Sequence, residues 1–407
     1  MRLPDVARHP AQHLLASAST LKEVPPVRYL VSGCVLLLGA STWLAAQQPA
    51  PRTLAKPDAQ FDQPFDAVLS VRELADGRVL VTDLGPRTVL LADFKTNQQV
   101  TIGRNGQGPG EYQFPGDLLP YLGDTTLLVD RASRRFLTIA ADGKLGNTVP
   151  FPDAIQGLGE PRGTDRQGRI YFQGSPFPGG LGVGDPGTIP DTVAVLRWDR
   201  VSGRVDTVAR VKVQAIKMQV SGSQNSRAVM MRPQPFAPSD EWAVSSDGRV
   251  AIARVGDFHV DWLGEGAPLR GAPIEFERLK VVEGDREAFL SNMRNSRNRI
   301  SITRGGPGRG AEMKPPEVTA ADFEWPETKP PFPSRAALMA PEGVLWLVRT
   351  TSASDSTPTF DLFDRSGAGT GRVILPLGRR LVGIGKGTLY AVRTDGDGLQ
   401  WLERYRR

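Results

Sequence analysis

Sulfur and imidazole are scarce in this chain. Its 407 residues include one cysteine, Cys34, and three histidines, His9, His13 and His259. A single thiol excludes a disulfide framework and a thiolate metal centre. His9 and His13 stand four apart, a metal-like spacing on a helix, but both fall in an N-terminal leader. His259 alone is left, which excludes a multi-histidine zinc site in one mature chain. It alternates with apolar residues in "GDFHVDWLG" and reads as a surface or packed strand residue. A Ser-His-acid triad would have to use it, and no G-x-S-x-G elbow supports one. Gly-Lys-Ser/Thr is also missing, which removes the phosphate loop. Catalytic residues are therefore expected to be none.

Strong charge is missing too. The net charge is +6, and removing residues 1–46 leaves 46 basic against 42 acidic residues, or +4. That is no nucleic-acid signature. Carboxylates remain plentiful, so a divalent cation such as calcium stays open as a cofactor.

Long apolar runs are limited to one. Val31–Ala46 is uncharged, Arg28 flanks it, and "LAAQ" offers small residues for cleavage near Ala46. This reads as a signal peptide in a leader spanning 1–46, with an uncleaved anchor as the alternative. "LVSGC" resembles a lipobox, but the apolar run lies mostly after Cys34 rather than before it. Export to the periplasm, the outer membrane or the medium is expected. Membrane contact would come only through the leader.

Glycine and proline are abundant, at 44 and 34 residues, and predict many turns and short elements. A repeat organises them. "GRVLVTDLGPRTVLLAD" from Gly77 matches "DTTLLVDRASRRFLTIA" from Asp124. The same beginning recurs at Gly168, Gly248, Gly343 and Gly387, with spacings of 47, 44, 80, 95 and 44. A period near 45 with four strands per unit predicts a six-bladed, all-β propeller over 47–407. Each copy would supply the second strand of a blade. The last blade lacks an outer strand, which "AQFDQPFD" near the N-terminus is expected to supply.

"GRNGQGPGEYQFP", Gly103–Pro115, follows a predicted fourth strand and precedes a first strand. A phosphate-cradling loop would need a helix there. Gly106, Gly108, Pro109, Gly110, Tyr112 and Pro115 make the segment resemble the inter-blade connection of NHL-repeat-like six-bladed propellers, in their bacterial exported or lipoprotein branch. The resemblance covers about 60–407. It implies a fold rather than an activity.

The long spacings mark insertions near 174–190, 214–240 and 282–334, all predicted on one face. The largest carries a predicted small helix, with Asp285 as N-cap and Phe289, Leu290 and Met293 at helical spacing. Arg286, Arg294, Arg297 and Arg299 make it a candidate partner surface, with a solvated loop and packed helix as the alternative. The sixth residue after each anchor falls at the same face. Asp83, Asp130, Arg254, Arg349 and Arg393 there form a candidate ligand-binding ring, with Gly174 at the remaining position. Asp83 and Asp130 could instead cap loops or pair with Arg87 and Arg134.

These readings favour a binding or scaffold module for a small ligand or a protein partner over an enzyme. The alternative is a hydrolase similar to gluconolactonases. That resemblance implies a divalent ion held in the central channel by carboxylate and amide ligands.

Overall fold

The computed structural model describes residues 50–155, 159–177, 189–223, 226–304 and 318–407, without the side chains of 218–233 and 295–304. The leader, including Cys34, lies outside the described residues.

Six four-stranded antiparallel units follow one another. Blade one holds Val68–Glu73, Val79–Asp83, Thr88–Asp93 and Gln98–Ile102. Blade two holds Pro115–Pro120, Thr126–Asp130, Arg135–Ile139 and Leu145–Pro150. Blade three holds Glu160–Thr164, Ile170–Gln173, Thr192–Trp198 and Val205–Lys212. Blade four holds Glu241–Val244, Val250–Arg254, His259–Leu263 and Leu269–Arg270. Blade five holds Ala337–Met339, Leu345–Val348, Thr359–Phe363 and Gly369–Ile374. Blade six takes Arg379–Ile384, Thr388–Thr394 and Gln400–Arg406 from the C-terminus. Its outer strand, Ala59–Gln60, comes from the N-terminus and pairs antiparallel with Gln400–Arg406. The chain is a six-bladed β-propeller, closed as the sequence predicts.

Two-residue periodicity explains the closure. Successive strand side chains face opposite sides of the sheet. In blade one, Leu80 enters the core shared with blade two, while Val79 and Val81 enter the core shared with blade six. In blade four, Val250 and Ile252 face blade three, while Ala251 and Ala253 face blade five. Six apolar clusters result, one between each pair of neighbouring blades. No blade can bury both its faces alone, so the ring itself is the unit of stability.

The repeat anchor has a backbone cause. Gly77, Gly123, Gly168, Gly248, Gly343 and Gly387 all take positive φ, from 62° to 88°, in the turn from first to second strand. In blade two the glycine is Gly123, one residue before the anchor read from sequence.

One strand was not foreseen. Arg52–Thr53 pairs parallel with Gly369–Ile374 as a fifth strand of blade five. The N-terminal segment thus edges two blades, and Phe61 and Phe65 then enter the core between blades six and one.

The segment Gly103–Pro115 joins blade one to blade two, as expected. Gly103 and Gly110 have φ of 66° and 73°. Just after each of them, Arg104–Asn105 and Glu111–Tyr112 pair in parallel. Buried Tyr112 donates its hydroxyl to the Ile102 carbonyl at 2.8 Å and accepts the Val89 N–H at 3.0 Å. It pins the connection to blade one.

The insertions also differ in detail. Within 214–240 a hairpin pairs Ile216–Ser223 with Ser226–Pro233. Residues 178–188 of the first insertion lie outside the description. The fourth strand of blade four ends at Arg270, so the chain leaves that blade before the insertion expected at 282. The helix runs Glu283–Arg304. Asp285 sits in its first turn, past the N-cap position, and accepts the Val282 N–H at 3.1 Å. It therefore supplies the acidic half of a capping box rather than the N-cap.

Candidate functional site

The ring positions come first. Asp83 is 3% exposed; its two oxygens accept the N–H groups of Asp66 at 3.0 Å and Ala67 at 2.8 Å. Asp130, fully buried, does the same for Gln113 at 3.3 Å and Phe114 at 3.0 Å, and also accepts Arg135 Nε at 3.1 Å. Its cation partner is thus Arg135, not Arg134. Burial pushes the Asp130 carboxyl up, but the Phe114 N–H, the Ser133 hydroxyl, the Gln113 N–H and Arg135 outweigh it and hold it below 3.8. Each aspartate fixes the chain entering its own blade.

The three arginines are held sideways. Arg254 pairs with Asp261 at 2.9 Å and Asp240 at 3.0 Å, Arg349 with Asp361 at 3.1 Å, and Arg393 with Glu403 at 3.4 Å. Each main partner lies on the third strand of the same blade, diagonally across the ladder. None of the five ring residues lines the central cavity.

On the insertion, Arg286 stands 5.6 Å over the Trp325 ring and pairs with Glu283 at 3.3 Å. Arg294 is exposed. The side chains of Arg297 and Arg299 lie outside the described residues. The two later insertions pack together: Phe289 lies 6.3 Å from Phe236, 5.2 Å from Phe323 and 5.6 Å from Trp325. Below them Asp285 pairs with buried Lys329 at 2.8 Å.

His259 is 3% exposed, with Nδ1 2.9 Å from Asp257 and Nε2 3.0 Å from Asp261. It is a packed histidine and lies outside the central cavity.

The site that the fold builds is the central channel. The first strands of all six blades line one cavity of about 590 Å³. Each first strand is the free edge of its sheet, so unpaired N–H and C=O groups face the channel. Leu118, Leu338 and Ile384 give it aliphatic walls.

At the insertion-bearing end the lining turns ionic. Arg131 reaches Asp117 at 2.6 Å and Glu160 at 4.0 Å. Arg335 Nη2 meets both Glu160 oxygens, at 2.6 and 2.8 Å. The Arg335 N–H donates to Glu241 Oε1 at 2.7 Å. Arg162 reaches Glu241 Oε2 at 3.4 Å and lies 5.5 Å from the Trp242 ring. Glu241 is 3% exposed. Desolvation raises its pKa above 4.5, although Arg162 and the Arg335 and Ala336 N–H groups pull the other way. At the far end Arg72 pairs with Asp124 at 3.1 Å, and Glu73 accepts the Tyr390 hydroxyl at 2.6 Å.

Comparison with known proteins gives distant likenesses alone. No family model matches the chain, and no curated protein matches it. Solved structures do. A candidate exported protein from Bacteroides fragilis shares 12% identity over 88% of this chain and 94% of its own, with a TM-score of 0.43. A gluconolactonase from Xanthomonas campestris shares 13% over 88% and 97%, with a TM-score of 0.40. A streptogramin B lyase shares 9% over 86% of each chain, with a TM-score of 0.40.

A divalent ion in the channel would need several converging oxygen ligands. Among the described residues no three histidine, cysteine or carboxylate side chains come together to hold one. Asp117, Glu160 and Glu241 each face an arginine instead. These mouth residues were missed from sequence because first strands carry no regular mark. One signal was countable: Glu160 and Arg335 both stand eight residues before the anchor glycines Gly168 and Gly343.

Proposed function

We propose that this chain is an exported binding propeller that takes its ligand in the central channel, through the insertion-bearing mouth. One observation carries this reading. A channel of about 590 Å³, with Leu118, Leu338 and Ile384 in its walls, is lined at one end by Asp117, Glu160, Arg162 and Arg335, with Arg131 and buried Glu241 paired to them from behind. Concave, largely apolar sites with a few convergent polar groups are the usual form of small-ligand pockets. The leader supports export, and the Gly103–Pro115 connection supports an NHL-repeat-like ancestry. Arg294, with Arg297 and Arg299 on the same helix, supports a second role for the insertion in docking a protein partner.

The test is a thermal-shift and NMR titration of the purified protein against sugar acids, amino acids and short aliphatic acids. It is repeated on Leu338→Trp, which fills the channel. Binders should lose their response in that variant; responses that survive it place binding elsewhere. For the lactonase alternative, chelation should leave the melting temperature unchanged. A drop on chelation together with lactone hydrolysis would reverse the choice.

A further inference from the structure

One ion pair at the mouth differs from its neighbours. Arg131–Asp117 stays within blade two, and Arg162–Glu241 joins adjacent blades three and four. Arg335–Glu160 runs from blade five to blade three, past blade four. We propose that this pair is a strap across the channel mouth, and that the ligand is a small organic carboxylate whose carboxylate replaces Glu160 on Arg335. The proposal rests on the channel reading above.

The backbone of Arg335 is fixed while its side chain is replaceable. Its φ of 60° is a left-handed conformation that costs a non-glycine residue free energy, so the surroundings must hold it. The hold comes from its N–H, bonded at 2.7 Å to buried Glu241. The guanidinium is 60% exposed and Glu160 37%. Ion pairs this exposed contribute little, because water screens them and long side chains lose freedom in making them. Only Nη2 holds Glu160, which leaves the rest of a planar donor set facing the mouth.

The present partner identifies the incoming one. Nη2 already holds two carboxylate oxygens, so a ligand carboxylate meets a donor in the right place. Displaced Glu160 stays near Arg131, now 4.0 Å away, so its charge is not stranded. The aliphatic walls of Leu118, Leu338 and Ile384 suit an organic body behind the carboxylate. The ionic lining of the mouth balances, Asp117 and Glu160 against Arg162 and Arg335, so a ligand carboxylate meets no excess of negative charge.

The experiment is isothermal titration of the purified protein with hexanoate, and with inorganic phosphate, on wild type, Glu160→Gln and Arg335→Gln. Hexanoate should bind wild type. Glu160→Gln, which removes the internal competitor, should bind about threefold to tenfold tighter, and Arg335→Gln about tenfold weaker. Arg335→Lys keeps the charge without the planar fork and should recover part of the loss. Melting curves confirm that each variant folds. A purely structural pair predicts the reverse for Glu160→Gln, so unchanged or weaker binding there overturns the strap. If hexanoate binding is then still lost in Leu338→Trp, the channel reading survives alone. Phosphate binding as tight as hexanoate overturns the carboxylate assignment. No hexanoate binding to wild type or Glu160→Gln overturns the proposal, and the wider panel then decides the channel by itself.

Discussion

Blades one and two place an aspartate at the end of the second strand, and blades four, five and six place an arginine there. The aspartates are buried and collect two backbone N–H groups each. The arginines are partly exposed and lean on a third-strand carboxylate. In blade four the carboxylate has moved. Asp240, just before the first strand, accepts the Val255 N–H at 3.0 Å and the Lys212 N–H at 3.0 Å, and takes Arg254 as a partner. The task of tying the blade's entry to its second strand persists while the residue doing it changes place. A ring of opposite charges in sequence is therefore two ways of fastening a blade, one through backbone donors and one through side-chain pairs.

The two ways should differ in strength. Asp130→Ala strands two part-buried N–H groups and the Arg135 cation and should cost about 3 kcal/mol, read by urea unfolding. A loss under about 1 kcal/mol would erase the distinction. Tyr112→Phe removes the hydroxyl that ties Ile102 to Val89, and should cost about 1–2 kcal/mol. Arg349→Ala gives up a partly exposed pair and should cost about 0.5–1 kcal/mol.

Acidity sharpens the contrast further. The Asp130 carboxyl is held below 3.8, so its contribution is complete above that value and is lost as pH falls through its lowered pKa. The gap between wild type and Asp130→Asn should therefore close on acidification below about pH 4. Glu241 has the opposite sign. Its pKa is raised above 4.5, so its favourable contribution is complete below that value and fades as pH climbs through the raised pKa. Melting temperatures of Glu241→Gln should gain on wild type as pH rises from about 4.5, the smallest of these effects. A gain that shrinks with pH would mean that Glu241 is better paired than its burial suggests.

What was legible in the sequence follows from what repeats. The anchors Gly77, Gly168, Gly248, Gly343 and Gly387 were countable because each inner turn needs a positive φ. The alternation in "GRVLVTD" announced a strand packed on both faces, and "AQFDQPFD" announced the closing strand. The proposed binding site was not legible in the same way. Arg335, Glu160 and Glu241 lie far apart in sequence and meet only because six first strands converge on one axis. The ring positions drew attention because charge is visible in a sequence, whereas the backbone N–H groups that consume it are not. Arg52–Thr53 was missed because a two-residue strand carries no periodicity.

The closing strand makes the ring depend on one long-range contact. Ala59–Gln60 and the Asp58–Arg404 ion pair at 2.6 Å join parts of the chain 346 positions apart. The N-terminal segment precedes its partner strand by all of the intervening blades, so it cannot pair until that strand is in place. Until that strand pairs, Phe61 and Phe65 have only the blade-one half of their core, and blade one has no neighbour on one side. Closing the ring therefore requires one long loop to form, and only then are blades one and six covered on both faces. Deleting Gln400–Arg406 would leave blades one to five intact in sequence and take away the strand that closes the ring.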